Sequence, residues 1–247
     1  MPSKLGAGRL IAATVGVIRQ QGRAMLAAAP WSLVVFTLTL PFALIAPAFY
    51  GTLAWVTLAL AAVNLIAFAR TTFAWHRVAV LGTAPDVGAA RGGSGEARHL
   101  VLLGLIAIGL TALARATGDL PYVIYMLLGG ANEPLFYGVL IASLVVLWAP
   151  VLRAVAMYGL CLPNAAVKGE YAFQAMRAAM RYRRWPLMAA LFALLVLGAQ
   201  TAGQLWPLAY AFTGLGLAQG AVAVLGCVAM TFVLTTMFAV AYRDSAA

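Results

Sequence analysis

Charge is scarce in this sequence. Only 9% of its 247 residues are Asp, Glu, Lys or Arg, and just six of them are acids. A soluble domain carries about 25% charged residues and about 45–50% apolar ones. Here 64% are hydrophobic, and a water-soluble fold would have to expose much of that surface. The acids are Asp86, Glu96, Asp119, Glu133, Glu170 and Asp244, all in loops or surface segments. No two of them are placed for paired acid–base work, and none lies mid-span as ion-coupled carriers require. Histidine is limited to His76 and His99, and cysteine to Cys161 and Cys227, in no metal-type spacing. Two isolated cysteines imply no disulfide framework, so a buried thiol here reads as a small hydrophobe. The serines have no Gly-x-Ser-x-Gly setting, and Gly92-Gly93-Ser94-Gly95 lacks the lysine of a phosphate loop. The expectation is a protein without catalysis, cofactor or metal.

What is present is a series of long apolar runs separated by short segments that alternate between arginine-rich and nearly charge-free. A run of about 20 apolar residues crosses a bilayer. Six fit: 26–49, 53–70, 99–117, 135–158, 186–204 and 217–241. Two amphipathic stretches, 3–24 and 164–184, complete an all-α integral membrane domain of six transmembrane helices and two interfacial ones. In the first stretch Ile11, Val15, Ile18 and Met25 recur at helical spacing, with Arg9, Arg19, Gln20 and Arg23 to the other side. In the second, Glu170, Gln174, Arg177, Arg181 and Arg184 form one stripe, and Phe173, Met176 and Met180 another. The second span is expected to continue past Arg70 toward Trp75, His76 and Arg77. Pro41 and Pro47 predict a kink or early unwinding in the first span. Residues 122–131 are expected to lie on the surface or to re-enter the membrane briefly.

Of the basic residues, only Arg115 falls beside a charge-poor connection on the far side. The positive-inside rule then places both ends in the cytoplasm of a bacterial inner membrane. The net charge of +10 reads as a topology determinant beside anionic headgroups, with no nucleic-acid partner. No cleavable leader is expected, because Arg19 to Arg23 separate the short apolar stretch from Ala27-Ala28-Ala29. Asn64, Gln200, Gln204 and Gln219 are the main polar side chains in or near spans, read as bonds to neighbouring helices rather than ligand groups. Trp75-His76-Arg77 reads either as a lipid-phosphate site or as a plain interfacial anchor. Arg177, Arg181 and Arg184 are the second candidate for anionic headgroups.

Two stretches carry a resemblance. Phe73-Ala74-Trp75-His76-Arg77-Val78-Ala79-Val80-Leu81-Gly82 follows the second span. Arg153 lies near the end of the fourth, and the run Leu162-Pro163-Asn164-Ala165-Ala166, an arginine-ended amphipathic segment and Trp185 follow it. Together they resemble the YciC-like bacterial inner-membrane proteins, and more loosely the membrane domain joined to some glycerophosphodiester phosphodiesterases. The resemblance implies six helices and no established activity. The functional expectation is a non-catalytic protein of membrane or lipid homeostasis. An accessory subunit of a larger membrane complex and a lipid or small-molecule permease are the alternatives.

Overall fold

The computed structural model describes residues 5–46, 52–83, 93–129, 133–208 and 214–246. Pro47, the turn at Tyr50-Gly51, most of the glycine-rich loop (84–92), the helix start at Asn132 and the turn over 209–213 lie outside them. The described residues form ten helices: α1 (Ala7–Ala28), α2 (Pro30–Ile45), α3 (Thr52–Leu81), α4 (Ser94–Gly118), α5 (Leu120–Leu127), α6 (Glu133–Tyr158), α7 (Cys161–Lys168), α8 (Phe173–Ala179), α9 (Trp185–Leu208) and α10 (Gly214–Ala246). No strand occurs among them, only one isolated bridge between Leu5 and Tyr182. Five helical stretches are long and apolar enough to cross a membrane: Ala54–Leu81, Ser94–Leu127, Glu133–Lys168, Trp185–Leu205 and Gly216–Ser245. The pair α1 and α2, bent by 85°, makes a sixth if counted as one broken span.

The bend falls where the sequence allows it. Pro30 occupies the first turn of α2, where a missing N–H costs nothing, and Ala29 before it leaves helical geometry at φ −142°. α1 runs four residues beyond its expected end. It docks through Leu10, Thr14, Val17, Gly22 and Met25. That stripe differs from the one read in the sequence: Ile11 and Val15 stay 51% and 41% exposed, and of the expected set only Met25 is buried.

α3 and α10 form the centre. α3 packs on α1, α2, α4, α7 and α10, and α10 on α1, α2, α3, α7, α8 and α9. Asn64 ties α3 to α2, donating to the Phe36 carbonyl at 2.8 Å and the Thr39 hydroxyl at 3.0 Å. Phe36 and Phe68 stack beside it. At 30 and 33 residues, α3 and α10 rise about 45 and about 50 Å, against a hydrocarbon core about 30 Å thick. Burial divides each helix in two. The first half of α3 exposes Trp55, Val56, Leu58, Val63 and Ile66, whereas all six residues from 71 to 76 are buried. α10 likewise exposes Leu217, Val222 and Leu225, then buries every residue from 234 to 242. A helix buried all round is wrapped by protein. Here α1, α7 and α8 form that wrapping, a cap at one end of the bundle.

The single helix expected over 164–184 is a correction. The segment is two short helices and an extended stretch. α7 ends at Gly169, which takes the left-handed conformation (φ 72°) that a side chain resists. Ala172 is also left-handed (φ 45°). α8 ends at Ala179, and residues 181–183 pair with Leu5 instead: Leu5 N–H donates to the Arg181 carbonyl at 2.9 Å, and Arg183 N–H to the Leu5 carbonyl at 3.2 Å. Tertiary contacts override the helical charge spacing.

Candidate functional site

The cap holds the most concentrated buried polar groups among the described residues. Thr72, His76, His99, Asn164 and Tyr242 are each at most 3% exposed. They come from α3, α4, α7 and α10, and α7 is the piece they hold. His99 Nδ1 lies 3.1 Å from the Leu162 carbonyl. A carbonyl only accepts, so Nδ1 carries the hydrogen and Nε2 is the acceptor. Thr72 Oγ1 is 3.0 Å from that Nε2, 2.9 Å from the Phe68 carbonyl and 3.2 Å from the Ala69 carbonyl, so three acceptors share one hydroxyl hydrogen. Asn164 donates to the Glu170 carbonyl at 2.6 Å and accepts from the Tyr242 hydroxyl at 3.1 Å. The His76 ring meets His99 edge to face at 5.5 Å between centroids, and Phe73 meets His99 at 5.7 Å. His76 Nδ1 and Trp75 Nε1 are buried without a partner.

Two arginines cap α7. Arg77 donates to the Ala166 carbonyl at 3.0 Å and lies over the Phe73 ring; Arg98 donates to the Gly169 carbonyl. Carbonyls at a helix C-terminus lack helical partners and carry the negative end of the dipole, so guanidinium groups suit them. Tyr171 closes the arrangement by donating to the Arg98 carbonyl at 3.1 Å. Gly159 admits the tight turn from α6 into α7: a Cβ there would sit 2.5 Å from the Phe238 ring.

The expected headgroup triplet is therefore turned inward. Trp75 is 1% exposed, against Phe232, and His76 is 2% exposed. Neither offers a headgroup a surface, and Arg77 is engaged with α7. The arginines of the second candidate do not share one stripe. Arg177 is on α8 and exposed, Arg181 is exposed on the extended stretch, and Arg184 is half-buried at the start of α9 with its Nε unpartnered. That extended stretch also gathers the chain's ends. Tyr182, 1% exposed, donates to Asp244, and Arg181 N–H donates to the Ser245 hydroxyl. Burial first, and then the bond to and charge of Asp244, push the Tyr182 phenol from its usual 10 to about 12.

Sequence reading did not identify Thr72, His99, Asn164, Tyr242 or Tyr182 as a set. The four-residue spacing of Thr72 and His76 puts them on one face of α3, and that is the one local signal available. Both cysteines are buried thiols. No group of three His, Cys, Asp or Glu side chains among the described residues is placed to hold a metal ion. Such an arrangement orients a short helix and locks the cap. No family profile matches the chain, and no curated protein or solved structure matches it either.

Proposed function

We propose that this chain is a six-span protein of a bacterial inner membrane, its cap and both ends in the cytoplasm, that serves membrane or lipid homeostasis without catalysis, as its resemblance to YciC-like proteins suggests. The observation that supports the reading best is the build of α1. The helix has three faces. Leu10, Val17 and Met25 dock on the bundle, Ile11, Val15 and Leu26 are exposed and apolar, and Arg9, Arg19 and Arg23 are exposed and basic. An exposed apolar strip flanked by arginines, on a helix lying at 85° to the next, suits the plane of a headgroup layer. Arg177 and Arg181 are exposed and basic as well, and add to the attraction for anionic lipid.

Deleting the gene and measuring inner-membrane phospholipid composition tests the role. The reading expects an altered composition that the wild-type chain restores and a chain with Arg9, Arg19 and Arg23 changed to Gln does not. A second reading, an accessory subunit of a larger membrane complex, draws on α6: only 6% of its most apolar stretch is buried within this chain. Unchanged lipids, together with a stable partner recovered in mild detergent, would decide for the subunit.

A further inference from the structure

We propose that two copies of this chain pair in the membrane about a two-fold axis, α9 of each against α9 and α10 of the other, with the carboxamides of Gln200, Gln204 and Gln219 bonded across the interface. All three side chains are exposed, and none has a hydrogen-bond partner among the described residues. Asn64 shows the contrast: that amide is buried within a span and bonded to α2.

Depth makes the unpaired amides costly in a lone chain. Trp185 opens α9 at the cap side and is 56% exposed, where an indole ring suits the headgroup layer. Gln200 stands about 22 Å farther along the helix, inside a hydrocarbon core about 30 Å thick. Thr201 meets Cys227 at 3.3 Å, which sets α9 level with α10. Beyond that contact Gln204 and Gln219 line one groove of about 540 Å³ with Ala218, Val222 and Ala223. Acyl chains offer an amide neither donor nor acceptor.

The chemistry of this face selects a second copy. A carboxamide donates and accepts, so it is complementary to itself. Copies inserted the same way share an axis along the membrane normal, which brings each carboxamide level with its counterpart. Val196, Ala199, Gln200, Gly203 and Gln204 recur at spacings of three and four, all exposed and none charged, so nothing on the face repels its copy. Gly203 admits a close backbone, since a Cβ there would meet nothing within 4 Å. Leu197, Gly198 and Thr201 make the contacts of α9 to α10 and α2, which leaves this face spare.

The pairing rests on the membrane placement proposed above and not on the lipid role, so a monomer would leave that role standing. Full-length protein with Cys161 and Cys227 changed to Ala receives one cysteine, at Ala199 on this face or at Leu105, 65% exposed on α4, and native membranes are treated with an oxidant. Ala199→Cys should cross-link to a dimer and Leu105→Cys should stay monomeric. In liposomes, energy transfer between labelled copies diluted with lipid gives the dissociation constant. It should rise about tenfold in the double variant Gln200→Leu with Gln204→Leu, through loss of the interhelical amide bonds. That variant removes no bond within the chain, so its helix content should match the wild type. A monomeric wild type, equal cross-linking at the two positions, a cross-link from Ala199→Cys to a different protein, or an unchanged dissociation constant in the double variant would overturn the proposal.

Discussion

Replacing Asn164 with Leu should unfasten the cap. Asn164 is 1% exposed, and leucine keeps nearly the same shape while removing one donor and one acceptor. Two groups lose their partner. The Glu170 carbonyl belongs to an exposed residue, so water can replace the amide and the cost is the net worth of one bond, about 1 kcal/mol. The Tyr242 hydroxyl belongs to a residue 2% exposed and stays without an acceptor, which costs about 1–3 kcal/mol. The sum is about 2–4 kcal/mol of cap stability. Tyr242→Phe removes only the hydroxyl and should cost about 1 kcal/mol. In the double variant apolar meets apolar, so the two losses should fall short of additive by about 1 kcal/mol. Unfolding by denaturing detergent in mixed micelles gives the global figure. Hydrogen exchange resolved by peptide should show protection lost in 161–168 and kept in α9. Strict additivity, or a loss below about 0.5 kcal/mol for Asn164→Leu, would refute the view that this pair fastens α7 to α10.

Gly159→Ala should destabilise by about 1–3 kcal/mol, because its Cβ would lie 2.5 Å from the Phe238 ring, and adding Phe238→Leu should recover part of the loss in the same assay. Ala172→Gly should stabilise by about 1 kcal/mol, since φ 45° strains alanine and not glycine, read as a shift of the unfolding midpoint. Tyr182 titrates at about 12 when folded and 10 when free, so its neutral form favours the folded cap. That contribution is complete below pH 10 and is lost as pH rises from 10 through 12. Tyr182→Phe should flatten that part of the stability profile, and an unchanged slope would show that the phenol does not ionise with unfolding.

The apolar runs of the sequence located the five helical stretches long and apolar enough to cross a membrane, because about 20 consecutive apolar residues suit a bilayer. The reach of α3 past Arg70 was legible too, since Phe73 to Leu81 continue without a glycine or proline. The break of 164–184 was not. Its charges repeat at helical spacing, and what ends the helix is Gly169 beside an Asn164 side chain that takes the Glu170 carbonyl, together with Leu5 arriving from the other end of the chain. Trp75 and His76 illustrate the same limit. At the end of an apolar run they resemble an interfacial anchor, and only the arrival of Phe232 on α10 and His99 on α4 makes them core. The pairing of Arg70 with Glu96 spans 26 residues and an intervening loop, a distance that no local spacing reports.

The central claim is that the cap faces the cytoplasm and the opposite end faces out, and labelling of single cysteines tests it most directly. With Cys161 and Cys227 replaced by Ala, cysteine is placed at Ser94, at the cap edge, or at Glu133, at the start of α6. A membrane-impermeant maleimide added to intact spheroplasts should label Glu133→Cys and spare Ser94→Cys, and inverted membrane vesicles should give the opposite result. Labelling of Ser94→Cys in intact spheroplasts, or of both positions from one side, would contradict the account.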